Sequence, residues 1–416
     1  MKEIRMKSIN TIIIFALFLV SLVSCKPKYN PALEEYTEFL KEKQTTAKDY
    51  VLEQWKQHDV VVLCERDHAE LTQYDLINEI TSSDYFIKNV GCIFTEVGSF
   101  TVRNRVLVFL HTTYKNENLR EAALIKIYRE LSWPIWEKSN TYFMLLRLNK
   151  INQNLKPEDK IQVYTSDEPI PSNDKVKSKE DYLAFEKKYL SRDRDSVMAE
   201  NIIAEFDSIQ LHSTRKKCLV IMNYRHAFLK NVSREKVSDD GTPLYGQIKG
   251  TVPCTAALLA KHYPNKVASI YINAMTVGTP EGQQPIQNGK WDASFKVLGK
   301  ENVGFNFNNS PFGADSLDIW GFSKPEYTYA NIFTGMVYYL PFEKHIRAHG
   351  LDNFIDDESI DEIYQRLKIY TEVYGGEIEK QDMKEMFKYK EGTYYNLEQC
   401  RESINRWIKT KPHSGS

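Results

Sequence analysis

The segment VVVLCERDH, residues 60–68, decides the fold. Its first five residues form a continuous apolar run rich in β-branched side chains, which predicts a strand. The run ends in two side chains that can carry chemistry, Glu65 and His68. We therefore interpret the segment as a strand with functional side chains at its carboxyl end.

Further apolar runs of the same kind follow along the chain, at residues 92–95, 161–164, 218–222 and 268–272. Longer stretches with helical spacing of apolar residues separate them, at residues 70–80, 136–151 and 197–209. This alternation is typical of βα units. It predicts an α/β fold with a mainly parallel central sheet flanked by helices.

Two regions depart from that alternation. Residues 278–322 are rich in Gly, Asn, Gln and Pro and have only weak periodicity, so we expect a loop-rich, irregular insertion there. Residues from about 359 onward are charged and have helical spacing, which predicts a C-terminal helical layer.

The overall charge argues against a nucleic-acid partner. The 416 residues include 55 Lys and Arg against 56 Asp and Glu, a formal net charge of -1. Phosphate backbones are bound by clustered excess basic charge, which this composition does not supply. The hydrophobic share of 42% is that of an ordinary folded protein and argues against disorder.

Residues 1–24 have the pattern of a signal peptide rather than of a domain. Three basic residues precede the apolar run at 11–23, which is too short to span a bilayer comfortably. The run ends in LVSC, residues 22–25, which resembles the lipobox of bacterial lipoproteins. That resemblance implies a palmitate-type lipid on Cys25; a plain secretory signal and an uncleaved anchor are the alternatives.

A domain plan follows from this N-terminus. We expect residues 25–34 to form a tether and residues 35–416 a single α/β domain. The protein is then expected in the bacterial cell envelope, held to a membrane by the lipid on Cys25 and facing the periplasm.

The remaining cysteines give no motif. None of them has Cys-x-x-Cys spacing, so a zinc ribbon and a thioredoxin-type site are excluded. Cys64, Cys92 and Cys218 each lie in a predicted strand, and we expect them to be buried, unreactive thiols.

Candidate functional residues follow four of the predicted strands: Glu65 with His68, Glu96, Asp167 and His226. In parallel α/β sheets, ligands bind outside the carboxyl ends of the strands, so these side chains are expected to share one crevice. Two carboxylates and two imidazoles suit the activation of water. For each residue alone, a helix cap, a salt bridge or a packed histidine is the structural alternative.

These residues also carry a resemblance to a known family. LCERDH at 63–68 resembles the Gly-Glu-x-x-His motif of the erythromycin esterase family, within the wider group that includes haem-binding ChaN-like lipoproteins and Tiki/TraB-type proteases. Further segments resemble that family in the same order along residues 58–230: FTE at 94–96, WPIW at 133–136 followed by Arg147, YTSD at 164–167, RDSVMAEN at 194–201 and NYRH at 223–226. The Trp-containing segment and YTSD favour the esterase branch.

The resemblance implies a hydrolase that acts on an ester, a lactone or a similar carbonyl of a small molecule. In it, His68 is the general base on water, Glu65 and Glu96 orient and stabilise His68, and His226 assists at the carbonyl. The resemblance further implies binding or supporting positions for three residues, Arg194, Asp167 and Arg147. A structural ion pair is the alternative interpretation of Arg194. No resident cofactor is expected.

Three positions depart from the family pattern. Cys64, Ala69 and Asn223 stand where the family has glycines. Glycine permits unusual backbone angles and close approach to a ligand, so we expect a reshaped pocket and transfer no substrate.

Two other functions stay open at this point. A metal-dependent peptidase would use the same four residues as ligands: Glu65, His68, Glu96 and His226. A lipoprotein that binds haem or another ligand without catalysis is the second. The sequence has no Gly-x-Ser-x-Gly, P-loop or Gly-x-Gly-x-x-Gly motif, which argues against serine-elbow hydrolases, Walker NTPases and the usual dinucleotide-binding proteins.

Overall fold

The computed structural model describes residues 29–131, 139–171, 174–234, 250–279, 282–319, 326–394 and 396–409. The predicted signal peptide, Cys25 and the WPIW segment at 133–136 lie outside these ranges. Within them, the predicted fold class is confirmed: a mostly parallel seven-stranded sheet is flanked by helices.

The strands, in chain order, are β1 Val60–Glu65, β2 Cys92–Ser99, β3 Gln162–Asp167, β4 Cys218–Asn223, β5 Val232–Arg234, β6 Gly250–Val252, β7 Val267–Ile272, β8 Met275–Thr279, β9 Gly282–Pro285, β10 Asn302–Asn306, β11 Gly335–Tyr339, β12 Arg347–His349 and β13 Lys390–Gly392. The central sheet has the order β10-β11-β7-β1-β4-β2-β3. Its neighbouring strands are parallel except β10, which runs antiparallel to β11. All five predicted strands are therefore confirmed, and the strand that carries Glu65 lies in the middle of the sheet.

The α-helices, in chain order, are α1 Glu34–Lys41, α2 Ala47–Gln54, α3 Gln73–Thr81, α4 Asp84–Asn89, α5 Arg103–His111, α6 Glu117–Tyr128, α7 Ser139–Asn152, α8 Lys179–Tyr189, α9 Arg194–His212, α10 Thr255–His262, α11 Lys290–Leu298, α12 Pro311–Ala314, α13 Tyr329–Ile332, α14 Ile360–Tyr374, α15 Met383–Met386 and α16 Leu397–Lys409. Among the described residues, no helix is both long and apolar enough to cross a membrane.

The sheet separates two apolar cores. Successive side chains of a strand point to opposite faces, so Val61 and Leu63 of β1 enter one core and Val60 and Val62 enter the other. Both faces are covered by helices, which is why the strand sequences are continuously apolar rather than alternating. Cys64, Cys92 and Cys218 are buried free thiols, as predicted, and burial raises the pKa of each.

Side chains and loops also reach the two outermost strands of the sheet. At β3, Asn201 Nδ2 donates to the carbonyl of Ser166 at 3.0 Å. At β10, the backbone N–H of Gly304 donates to the carbonyl of Thr45 at 3.0 Å. Gly304 has no side chain, and a Cβ there would lie 2.3 Å from Tyr50 of α2, so glycine permits α2 to pack on this strand.

The prediction of an irregular insertion at 278–322 is corrected in part. The described residues of this range include helix α11 and strand β10, which extends the central sheet. The helix buries an apolar side with Trp291 and Phe295. It was missed because its sequence is short and follows Gln287 and Asn288, which have positive φ angles of 52° and break the preceding turn.

The predicted tether at 25–34 also ends earlier than expected. Leu33 is fully buried against residues of α11 and α16, and the side chain of Asn30 caps the turn at Pro31–Leu33. Residues 31–34 therefore belong to the folded domain. The C-terminal residues form helices, as predicted. These helices pack in two different places: α14 packs against α8, and α16 packs against α11.

Candidate active site

The carboxyl end of β1 carries the first pair of functional side chains. Glu65 is 1% exposed, and its Oε2 lies 3.0 Å from Nδ1 of His68. The other carboxylate oxygen, Oε1, accepts a hydrogen bond of 2.6 Å from the hydroxyl of Tyr74 on α3. Glu65 is therefore held from both sides, and it orients the His68 ring.

Glu96, on β2, lies at the centre of the cluster. Its Oε1 is 3.6 Å from His68 Nε2, 3.4 Å from His226 Nε2 and 3.1 Å from Arg194 Nη1. Its Oε2 accepts a 2.9 Å hydrogen bond from the backbone N–H of Asn223 at the end of β4. Two imidazoles and one guanidinium thus converge on a single carboxylate oxygen.

Arg194 begins α9 and connects β3 to the cluster. Its Nε and Nη2 donate to the two oxygens of Asp167 at 2.7 and 2.8 Å, a bidentate pair. Its Nη1 also lies 3.3 Å from His226 Nε2. Asp167 fixes the plane of the guanidinium, and Arg194 in turn contacts both Glu96 and His226.

Asp195 is a site residue that the sequence did not reveal as one. It is fully buried, and its Oδ1 lies 2.7 Å from His226 Nδ1. The same oxygen accepts hydrogen bonds of 2.9 Å from the backbone N–H and the hydroxyl of Thr255, and Oδ2 accepts one from Arg225. His226 is thus oriented by a carboxylate, as His68 is by Glu65.

The pKa values of His68, Glu96 and Asp195 are strongly shifted from their usual values. Burial alone would lower the pKa of His68, but the charges of Glu96 and Glu65 outweigh it and raise this pKa to about 10. Burial alone would raise the pKa of Glu96, but His226, His68 and Arg194 hold it well below its usual range. For Asp195, the neighbouring His226 and Arg225 overcome burial and lower the pKa to about 2. At neutral pH, His68 is therefore an imidazolium, and the ionised Glu96 lies beside its Nε2.

This charge state predicts a pH dependence of stability. The pKa of His68 is about 10 in the folded chain and about 6.5 in an unfolded one, so the folded state holds one more proton between these values. The stabilisation is complete below pH of about 6.5 and is lost as the pH rises towards 10. We expect the free energy of unfolding to fall with a slope of about 1.4 kcal/mol per pH unit from this site.

Denaturant unfolding at pH 7, 8 and 9 measures that slope, with His68→Gln as the reference that cannot titrate. The wild-type slope should exceed the His68→Gln slope. Identical slopes in the two proteins would contradict the raised pKa.

Two ion pairs and several backbone hydrogen bonds hold the loop that carries His68. Beneath it, Arg66 Nη1 donates to Glu70 Oε2 at 2.9 Å, and both side chains are at most 1% exposed. At the side, Arg347 of β12 pairs with Asp67 at 2.6 Å. The backbone of residues 69–71 also exchanges hydrogen bonds with residues 346–348, so distant C-terminal residues complete the support of His68.

Three positions have another residue where the resembled family has glycine. At none of them does the backbone need the conformational freedom of glycine. Cys64 and Ala69 do not have a positive φ, and Asn223 is extended with φ of -93°. The positive φ falls on Tyr224 instead, at 36°, an angle that costs a non-glycine residue energy. The Tyr224 hydroxyl donates to the carbonyl of Met275 at 3.1 Å, which helps to hold this turn.

Most of the predicted site residues come together, and one does not. Glu65, His68, Glu96, His226, Arg194 and Asp167 form the connected cluster described above. Arg147 lies on the exposed side of α7, where it acts electrostatically on Asp75. The buried side of that helix is formed by residues such as Tyr142, Leu145 and Leu148, so position 147 points away from the core.

Glu168 is a further acidic group at this edge that the sequence analysis did not single out. It is half-buried directly after β3. Burial and the neighbouring charge of Asp167 raise its pKa to about 7. Its position next to Asp167 was visible in the sequence, but its unusual pKa depends on the fold.

The His, Cys, Asp and Glu side chains of the described residues are not arranged to hold a metal ion. Across the ranges that the structure describes, no group of three or more His, Cys, Asp or Glu side chains is arranged to hold one. A cation beside Glu96 would also meet the guanidinium of Arg194, which contacts Glu96 and His226.

Comparisons with known proteins give similarities at the level of structure only. No family model matches the sequence, and no curated protein matches it. The solved structures with similarity include a Bacillus cereus protein (TM-score 0.42, 11% identity, 73% of this chain and 96% of that one) and the erythromycin esterase EreC in its open conformation (TM-score 0.41, 13% identity, 74% and 96%). A succinoglycan biosynthesis protein has a TM-score of 0.43 at 11% identity, covering 69% of this chain and 89% of its own.

Proposed function

We propose that this chain is a hydrolase that attacks an ester, a lactone or a related carbonyl group of a small molecule. The observation that carries the proposal is the convergence of His68, His226 and Arg194 on one oxygen of Glu96. Each imidazole has its own orienting carboxylate, Glu65 or Asp195. Each imidazole is thereby held in a fixed orientation, which suits general acid–base catalysis by the pair.

In this proposal, His226 is the general base. Its Nδ1 hydrogen is donated to Asp195, so Nε2 is the nitrogen that accepts a proton in the neutral ring. The lone pair on Nε2 can then accept a proton from water while the water oxygen bonds to the substrate carbonyl carbon. Arg194 lies beside that atom and stabilises the negative charge that develops on the carbonyl oxygen.

His68 is then the general acid. With a pKa of about 10, it is protonated at neutral pH and is poorly suited to accept a proton from water. It can instead give its proton to the leaving alkoxide oxygen when the carbon–oxygen bond breaks. The proton that His226 took from the attacking water is then released to solvent, and His68 takes up one proton from solvent, so both imidazoles return to their starting states. The proposal therefore exchanges the assignments that the family resemblance implies for His68 and His226.

A screen of ester, lactone and amide substrates tests the proposal, with the wild type, His68→Ala and His226→Ala assayed together. We expect turnover to fall by at least about 10²-fold in both variants, because positioned acid–base groups contribute about 10²- to 10⁴-fold. His262→Ala is the matched control, since His262 is exposed on α10 and pairs with Asp207 outside the cluster. Equal turnover in all four proteins would remove the catalytic assignment.

We also infer that the chain acts at the cell envelope, anchored by lipid on Cys25. The support is the sequence alone: a basic start, a short apolar run and LVSC at residues 22–25. Expression in a bacterium followed by membrane fractionation tests it. The wild type should sediment with membranes and Cys25→Ser should not; identical fractionation would contradict the anchor.

A further inference from the structure

A second cavity lies beside the carboxyl end of β11, two strands away from β1 in the sheet. Its volume is about 270 Å³. Tyr338 of β11, Asp292 of α11 and Ile404 of α16 are among its lining residues. Pro341, two acidic–basic pairs, Lys300 and Gly299 also line it. None of the residues of the candidate active site lines it.

Asp292 places a buried carboxylate at this cavity. It is 9% exposed, and its Oδ1 accepts a 2.9 Å hydrogen bond from the hydroxyl of Tyr338. Burial, with a contribution from Glu343, raises the pKa of Asp292 to about 6, so the group is still ionised at neutral pH. Burying an ionised carboxylate costs free energy unless a cation or several hydrogen-bond donors face it.

The cations near Asp292 are bound to other partners. Lys296 pairs with Glu343 at 3.0 Å, and Lys344 pairs with Glu301 at 2.5 Å. Lys300 donates to the carbonyl of Lys43. The buried Arg66 acts on Asp292 electrostatically, but its ion pair is with Glu70. In the described part of the chain, Asp292 therefore has no direct ion pair.

We propose that this cavity binds a small primary amine whose ammonium group pairs with Asp292. The ammonium supplies a direct ion-pair partner for Asp292, since the three lysines that line the cavity are bound to other groups. The apolar surfaces of Ile404 and Pro341 face the carbon chain of the ligand. The volume lies below the roughly 300–1,000 Å³ of pockets for drug-sized ligands, so the ligand is small.

Isothermal titration calorimetry of the purified chain with ethanolamine and with 1,4-diaminobutane tests the site, and acetate serves as the anionic control. We expect saturable binding of one amine per chain and none of acetate. Asp292→Asn removes the charge but keeps an oxygen that can accept from Tyr338, and it should weaken amine binding at least tenfold. The wild type should bind about tenfold more weakly at pH 5 than at pH 8, because Asp292 takes up a proton.

Glu301→Gln is the matched control, since it removes an exposed carboxylate from the rim of the same cavity. Its affinity for the amines should stay within twofold of the wild type. The proposal is overturned if the wild type shows no saturable binding, if acetate binds equally well, or if Glu301→Gln weakens binding as much as Asp292→Asn. These results do not depend on turnover, so failure of the hydrolase proposal leaves them unchanged.

Discussion

Replacing Glu70 with glutamine is expected to lower the free energy of unfolding by about 3–5 kcal/mol. Glu70 is fully buried and is the ion-pair partner of Arg66. Its two oxygens also accept from the backbone N–H groups of Thr72 and Gln73, at 2.9 and 2.8 Å. Glutamine has one acceptor oxygen, so one of these donors loses its partner while Arg66 remains buried without a counter-charge.

Equilibrium denaturation in urea measures this loss. Glu53→Gln is the control, because Glu53 and Lys56 form an exposed pair at 3.6 Å and its removal should cost at most about 0.5 kcal/mol. A Glu70→Gln protein within about 1 kcal/mol of the wild type would show that the pair beneath the His68 loop contributes little.

Asp195→Asn is expected to lower kcat by about 10²- to 10⁴-fold with little change in KM. Asp195 accepts from His226, Thr255 and Arg225, and an asparagine side chain cannot accept from all of them. Its amide group would face His226 Nδ1 or displace another donor, so His226 would lose the tautomer in which Nε2 carries no proton. The measurement needs a substrate found in the proposed screen.

The matched control for this change is Asp193→Asn, two residues earlier. Asp193 caps α9 by accepting from the backbone N–H of Ser196 at 2.9 Å, a contact that asparagine can preserve. Its kcat should stay within twofold of the wild type. An Asp195→Asn enzyme with unchanged kcat would show that His226 does not need this carboxylate.

The sheet and most of the candidate site could be predicted because both depend on local sequence. The central strands are buried on both faces, so apolar runs such as residues 60–64 and 218–222 mark them directly. Parallel pairing then brings the strand ends to one edge, and Glu65, Glu96 and His226 meet there as predicted. No knowledge of the helices was needed for that step.

The parts that could not be predicted depend on packing between distant segments. Strand β10 has Asn at both ends and Gly304 in its middle, so it has no apolar run to mark it. Arg147, whose supporting position is implied by the family resemblance, lies on the exposed side of α7 and outside the cluster of the other site residues. Asp195 contacts Thr255 because α9 and α10 pack together, and it contacts His226 because the turn after β4 lies beside the start of α9. Both contacts join segments that are distant in the sequence.

The contacts at the two outermost strands have a consequence for how molecules of this protein meet. A strand at the border of a sheet with free backbone groups is a template on which a second chain can add its own strand, and this is a common start of aggregation. Here Thr45 occupies the N–H of Gly304 on one border, and Asn201 binds the backbone of β3 on the other. Each border strand therefore has at least one backbone group that is already engaged and is not offered to a second chain.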